Sequence, residues 1–183
     1  MTTLAFAAII GLLAGVTAPA SKPGVEPTVT VTEERGVYSV TARFVVPQSP
    51  PVVLAVLTDY EQIPRFMPGI RTSVVLERVP GRVVVEQEAV SGVMTFSKRV
   101  HLVLEITERA DALVFRDRCG RSFTRYEGRW RTAERDGATE VVYELVAQPS
   151  FGVPEFVLKR VLKRDSARMI EQLQRQISAA SSR

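Results

Sequence analysis

The sequence predicts an α+β domain in which a curved, seven-stranded antiparallel sheet is covered by one long C-terminal helix. Turn signals such as Pro80-Gly81 and Asp136-Gly137 divide residues 71–147 into short alternating segments. When these turns are placed in register, the apolar side chains of six strands fall on one face of the sheet. The long amphipathic segment at 155–178 is suited to cover this face, because its apolar residues recur on one side of a helix.

The elements before these six strands complete the predicted order. Residues 38–44 alternate between apolar and polar side chains, which predicts the first strand. Ser49-Pro50 is typical of a helix start, so we expect a short helix over 51–58. Asp59 is a candidate cap for a second short helix. The order is therefore strand, two short helices, six strands and one long helix.

The predicted register makes the concave face apolar, with three polar exceptions. Gln87, Lys98 and Asp117 also take the inward position, where they would either orient a ligand or lie at a sheet end or bulge. The apolar members of this face are Val74, Leu76, Val83, Val85, Met94, Phe96, Val100, Leu102, Leu104, Ile106, Leu113, Phe115, Tyr126, Trp130, Tyr143 and Leu145.

The N-terminal residues indicate export. An apolar run from Leu4 to Val16 is followed by Ala18-Pro19-Ala20, which is typical of a secretory signal peptide over residues 1–20. The run is short for a membrane-spanning helix, and no Lys or Arg precedes it. We therefore expect cleavage after Ala20 and a periplasmic or secreted protein, with an uncleaved anchor or a different start codon as alternatives. Residues 21–35 would form a partly disordered leader, and residues 36–180 a single domain.

Composition excludes several classes of function. The net charge of +4 is spread over interspersed Arg and Glu, which argues against a nucleic-acid surface. One His and one Cys do not make a metal site, and no glycine-rich phosphate loop or other cofactor motif is present. We expect Cys119 to be a small buried hydrophobic residue and His101 to face solvent, so no Cys-His pair should form. The domain is expected to be a monomer.

Three segments resemble one family. Residues 56–68 match a V-x-x-D-Y-x-x-x-P-x-F-x-P pattern, residues 126–130 resemble a G-x-W strand, and residues 137–145 resemble a G-x-T-x-V-x-Y-x-L strand. Together with the element order, they resemble the START-like helix-grip superfamily (SRPBCC). The match is best to its polyketide-cyclase/dehydrase and coenzyme-Q-binding branch, over about residues 36–180.

This resemblance implies a ligand cavity between the concave face and the C-terminal helix. The sheet, the loop after the second short helix and the long helix would each supply part of its wall. Independently of the resemblance, a cluster of basic residues on the helix, Lys159, Arg160, Lys163 and Arg164, is either a solvated helix face or a surface for transient contact with anionic membranes. The expected cavity residues are Phe66, Met67, Met94, Phe96, Lys98, Phe115, Tyr126, Trp130, Tyr143, Val161, Leu162 and Met169.

Two functions are compatible with such a cavity. The first is non-enzymatic binding or transport of a hydrophobic molecule, lipid-like or isoprenoid/quinone-like, in the cell envelope. The second is an aromatase/cyclase-type enzyme in which Lys98, Asp117 or Tyr126 would give acid-base help to a polyketide-like substrate. The export signal favours the first, because substrates bound to acyl carriers are cytoplasmic.

Overall fold

Antiparallel pairing joins the described strands of this protein into one open sheet. The structure, a computed structural model, describes residues 26–67, 69–93, 96–152 and 154–180. Within these ranges the sheet has eight strands in the order β1-β2-β8-β7-β6-β5-β4-β3. The strands are β1 Thr28–Glu34, β2 Val37–Val46, β3 Ile70–Val79, β4 Arg82–Val93, β5 Phe96–Glu108, β6 Ala112–Asp117, β7 Phe123–Arg135 and β8 Ala138–Pro149.

The helices lie between the second and third strands and at the C-terminal end. They are α1 Pro50–Thr58, a single 3₁₀ turn at Tyr60–Gln62, α2 Ile63–Phe66 and α3 Glu155–Ala180. In α3, Ile170, Leu173 and Ile177 are fully buried, because their spacing of three and four residues places them on one helix face. This arrangement is the helix-grip fold that the sequence predicts, with one additional strand.

The additional strand comes from residues that the sequence predicts as leader. Thr28–Glu34 forms β1 and pairs with β2 over its whole length, from Thr28 opposite Arg43 to Glu34 opposite Val37. Its Val31 is buried in the core. The alternation of Thr and Val in this segment favours a strand. The predicted signal peptide over residues 1–20, and leader residues 21–25, lie outside the described residues.

The turns predicted at Pro80-Gly81 and Asp136-Gly137 are confirmed. The turn between β4 and β5 lies later than predicted, because Val93 pairs with Phe96 and Val85 therefore faces Leu104 instead of Lys98. Each residue of β4 is therefore paired with a β5 residue six positions later in the chain than predicted. Since an even shift keeps each side chain on its face, the predicted face of β5 survives the error.

A β-bulge makes the prediction wrong at the start of β3. The register shifts between Val75 and Glu77, so Val75 pairs with Val85 and Ser73 with Gln87. A shift of one residue exchanges the two faces of a strand. Val74 and Leu76, which were predicted to face the cavity, are consequently 47% and 53% exposed.

Gly128 in β7 makes room for the ring of Phe115, its partner on β6. A Cβ atom at position 128 would lie 2.6 Å from Cζ of Phe115 and 2.2 Å from the carbonyl oxygen of Glu144. Both distances are shorter than real contacts of a Cβ atom. The glycine of the G-x-W segment is therefore required because an aromatic ring crosses its strand.

We expect Gly128→Ala to lower the free energy of unfolding by about 1–3 kcal/mol, because the added methyl overpacks the sheet against Phe115 and a main-chain oxygen. Urea unfolding of the purified domain measures this change. Gly152→Ala is the matched control, since a Cβ atom at position 152 meets nothing within 4 Å. Equal stability of the two variants would show that Phe115 does not cross Gly128 in solution.

Candidate ligand-binding site

A cavity of about 580 Å³ lies between the concave face of the sheet, the α1–α2 segment and α3. This volume is within the range of small-molecule sites in proteins. Strands β4 to β8 provide most of its wall, which is dominated by aliphatic and aromatic side chains. The strand residues that line it include Val100, Leu102, Leu104, Ile106, Leu113, Phe115, Phe123, Tyr126, Trp130, Tyr143 and Leu145.

An aromatic cluster forms one side of the cavity. The ring centroids of Trp130 and Tyr143 lie 4.4 Å apart, and the rings of Phe115 and Tyr143 are nearly parallel at 6.3 Å. Phe123 and Tyr126 pack with their centroids 4.9 Å apart. Because each ring is held by neighbouring rings and by its own strand, the cluster forms a preformed apolar surface.

The structure places most of the predicted cavity residues in the wall. Tyr126, Trp130 and Tyr143 occupy the register predicted between β7 and β8. Met94 lies outside the described residues, and so does the side chain of Phe96. The predicted residues that line the cavity are Phe66, Met67, Phe115, Tyr126, Trp130, Tyr143, Leu162 and Met169.

Two predicted cavity residues are placed elsewhere. Lys98 is exposed and does not line the cavity; its Nζ lies 4.7 Å from the ring centroid of Phe151. The shifted β4–β5 turn explains this error, because it brings Lys98 opposite Ser91 near the end of the hairpin. Val161 is buried but is absent from the cavity wall, whereas Leu162 is part of it. Successive helix residues point about 100° apart, so the two side chains cannot share one direction.

Other wall residues were not predicted as part of the site. Val56 and Leu57 of α1 and Tyr60 of the 3₁₀ turn close one side, next to Phe66. Their apolar character and their place in the same 13-residue pattern would have been a usable signal. The charged residues that α3 contributes, Arg164, Asp165 and Arg168, carry no such signal, because their positions depend on how the helix lies across the sheet.

The polar groups inside the cavity are neutral. Gln87 is buried, as its inward position predicts, and its Nε2 donates to Oγ of Ser73 at 3.1 Å. Burial raises the pKa of Tyr126 to about 12, partly offset by the neighbouring Tyr143, and burial raises the pKa of Tyr143 well above its ordinary value. Both phenols are therefore protonated at neutral pH.

Tyr60 joins the signature segment to the far end of the sheet. Its buried side chain donates a hydrogen bond from the hydroxyl to Oε1 of Glu108 at 2.8 Å, and Arg78 lies above its ring. Burial and this bond raise the pKa of Tyr60. Tyr60 is therefore a packing residue whose hydroxyl has a partner, whereas Asp59, the candidate cap, makes no capping hydrogen bond through its side chain.

Asp117, Cys119 and His101 are grouped away from the cavity. The prediction for Cys119 was wrong, because it is half-buried and its Sγ lies 3.7 Å from Nδ1 of His101. His101 also contacts Oε1 of Glu86 at 3.0 Å. The thiol donates to Oδ1 of Asp117 at 3.2 Å. None of these residues lines the cavity, so this Cys-His pair does not face the candidate ligand.

The rim of the cavity at α3 is charged. Arg164 donates from Nη2 to Oδ1 of Asp165 at 2.7 Å, and Arg168 lies one turn further along the helix. Lys159, Arg160 and Lys163 are exposed. Across the described ranges, no group of His, Cys, Asp and Glu side chains could hold a metal ion. No helix in those ranges is long and apolar enough to cross a membrane.

Comparison with known proteins identifies the family. A family model described as polyketide cyclase/dehydrase and lipid transport matches residues 46–174. The chain belongs to this family. The description of the family associates its members with hydrophobic-ligand binding, lipid transport or polyketide cyclisation. No curated protein matches the sequence.

Solved structures share the fold at low sequence identity. The protein TTHA0849 from Thermus thermophilus is 21% identical with a TM-score of 0.67, covering 78% of this chain and 99% of its own. The Zhui aromatase/cyclase from a Streptomyces species is 16% identical with a TM-score of 0.66, and the match covers 78% of this chain and 94% of the cyclase chain. A STAR-related lipid transfer protein from Xanthomonas axonopodis is 15% identical with a TM-score of 0.63, and the match covers 82% of this chain and 98% of that protein's chain. At these identities the similarity establishes the fold alone.

We expect the free energy of unfolding to decrease above about pH 10, the ordinary pKa of tyrosine. The folded protein raises the pKa of Tyr60, Tyr126 and Tyr143, so it favours the neutral phenols. Their contribution is complete below the unfolded pKa and is lost as the pH rises towards the folded values. The loss is about 1.4 kcal/mol per pH unit for each tyrosine that ionises on unfolding.

Urea unfolding at about pH 8 and about pH 11 measures this decrease. A variant with Tyr60, Tyr126 and Tyr143 all replaced by Phe controls for lysines and other groups that titrate in the same range. The wild type should lose more stability between the two pH values than this variant does. An equal loss in both proteins would contradict the burial of the three hydroxyl groups.

Proposed function

We propose that this protein is a non-enzymatic carrier that binds a hydrophobic small molecule, lipid-like or isoprenoid/quinone-like, in its cavity. The observation that carries the proposal is the 580 Å³ space with an apolar and aromatic wall. Burial of apolar ligand surface against this wall would supply most of the affinity, at about 25 cal/mol per Å² of area removed from water. The neutral hydroxyl and amide groups inside would then orient a polar group of the ligand.

The alternative, an aromatase/cyclase-type enzyme, loses two of its three proposed acid-base groups. Lys98 and Asp117 do not line the cavity, which leaves Tyr126. With a pKa raised to about 12, Tyr126 can donate a hydrogen bond but is a poor proton acceptor at neutral pH. The carrier is therefore the better-supported function, although a cyclase of known structure shares the fold. Conversion of a poly-β-keto substrate by the purified domain would reverse this preference.

The carrier is proposed to work in the cell envelope. The basis is the sequence alone: an apolar run over residues 4–16 followed by Ala18-Pro19-Ala20. Cleavage after Ala20 would leave a mature chain that starts at Ser21, seven residues before the first strand begins at Thr28. A periplasmic location would give the carrier direct access to membrane lipids.

The test is native mass spectrometry of the protein purified from the envelope fraction of its own organism. We expect an intact mass that starts at Ser21 and a bound hydrophobic molecule that solvent extraction releases. Ala89→Phe should abolish co-purification of the ligand, because Ala89 lines the cavity and the larger ring fills it. Ala133→Phe is the control, since Ala133 is exposed in β7 and outside the cavity.

Different outcomes of this test would reject the cavity as the binding site, the carrier function or export. A bound molecule that survives in Ala89→Phe would place the ligand elsewhere and reject the cavity as its site. A folded wild-type protein without any extractable ligand would argue against the carrier. A full-length chain recovered from the cytoplasm would reject export, whether or not a ligand is bound.

We further propose transient contact with anionic membranes through the exposed face of α3. Phe156, Lys159, Arg160 and Lys163 are spaced by three and four residues, so they share one stripe of the helix. Phe156 is 75% exposed, and the three basic residues beside it are exposed too. An aromatic side chain flanked by cations is suited to an anionic lipid surface. Arg164, also expected to take part, is instead bonded to Asp165.

We expect the double variant Lys159→Glu/Lys163→Glu to weaken binding to phosphatidylserine-containing vesicles at least about tenfold, because each cation near such a surface contributes about 1 kcal/mol. Vesicle co-sedimentation at low salt measures this. The control is Arg71→Glu/Arg109→Glu, which makes the same charge change at exposed residues of β3 and of the connection between β5 and β6. Equal weakening by both pairs would indicate general charge attraction and reject α3 as the docking face.

A further inference from the structure

The charges of the cavity wall are concentrated at one place. Among the described residues that line the cavity, the charged side chains are Arg164, Asp165 and Arg168, all from α3. The remaining polar side chains are neutral. Burying a charge without a partner is costly, so the interior is suited to an uncharged part of a ligand. An ionised group of the same ligand would have to stay at the α3 rim.

The rim carries one positive charge without an ionic partner among the described residues. Arg164 is bonded to Asp165 through Nε at 2.9 Å and Nη2 at 2.7 Å, so these two charges are paired with each other. Arg168 is exposed, and in the part of the chain that the structure describes it forms no ion pair. Two arginines and one aspartate leave a net charge of +1 at the rim.

We propose that Arg168 binds the anionic head group of an amphipathic ligand whose hydrocarbon part fills the cavity. The head group would be a carboxylate or a phosphate, because the planar guanidinium can donate two parallel hydrogen bonds to either. This inference rests on the proposed carrier function. It narrows the ligand class from any hydrophobic molecule to an amphipath with one negatively charged end.

The orientation of the ligand follows from the same arrangement. With the head group at Arg168, the chain would enter past Leu162 and Met169 towards the aromatic cluster. A ligand in this orientation keeps its charge near water and removes its apolar surface from water.

The test compares three probes with the same hydrocarbon chain: oleate, oleyl phosphate and oleyl alcohol. Each is titrated against a displaceable neutral dye bound to the purified domain, at a pH where both acids are ionised. We expect the wild type to bind the two anions more tightly than the alcohol. Arg168→Gln should weaken binding of both anions by about tenfold and leave the alcohol unchanged.

Arg175→Gln is the matched control, because Arg175 is an exposed arginine two turns further along α3 and does not line the cavity. It should bind all three probes as the wild type does. If only one anion is weakened by Arg168→Gln, the proposal holds and the head group is identified as carboxylate or phosphate.

Four other results would overturn the inference. If Arg175→Gln weakens the anions as much as Arg168→Gln does, the attraction comes from the overall charge of the helix. If Arg168→Gln weakens the alcohol equally, the side chain acts through its hydrocarbon part. If the wild type binds the alcohol but shows no preference for the anions, the head-group site is rejected while the carrier function stands. If the wild type binds none of the three probes, the head-group site and the carrier function are both rejected.

Discussion

The contact between α3 and the concave face of the sheet determines both the stability and the site of this protein. An antiparallel sheet with one apolar face has to cover that face. Ile170, Leu173 and Ile177 bury themselves completely near the C-terminal end of the helix. The preceding stretch, with Leu162 and Met169, borders the cavity, which Leu173 also lines. One helix therefore packs tightly at one end and encloses space at the other.

The remaining wall elements are held by contacts that do not use the cavity. Tyr60 ties the segment after α1 to Glu108 at the end of β5. The hydroxyl of Thr139, a buried residue of β8, donates to the carbonyl of Gln48 just before α1, at 2.6 Å. On β7, Gly128 allows Phe115 to lie against the backbone of its neighbour. These contacts hold the wall in place without filling the space between helix and sheet.

Charge is distributed differently over the cavity interior, the outer face of the sheet and the rim at α3. The interior holds the uncharged amide of Gln87 and phenols whose neutral forms are favoured by burial, which raises the pKa of Tyr126 and Tyr143. The outer face of the sheet instead carries ion pairs, such as those that Glu105 forms with Arg82, Arg116 and Arg118. Among the described residues, the charged side chains of the cavity wall are those that α3 brings to the rim. This polarity suits an amphipathic ligand better than acid-base catalysis.

Much of the fold could be predicted because hydrophobic alternation has a strict period of two. The faces of β5, β7 and β8 are correct even where a turn was misplaced, since an even shift preserves the face. The period of two gave the wrong face for Val74 and Leu76, because a bulge in β3 adds one residue and exchanges the two faces of the strand. It also missed β1, because the alternation of Thr and Val over seven residues is a short signal that was assigned to the leader.

The sequence by itself determined the fold class, the family and the aromatic wall around Trp130, because these depend on local periodicity and on turns between neighbouring strands. The tertiary structure decided which charges meet the ligand space. Lys98 moves to a hairpin end, and Cys119 comes to lie beside His101. Arg168 reaches the rim because of the way α3 crosses the sheet. Such placements depend on contacts between residues far apart in the chain, which no local pattern records.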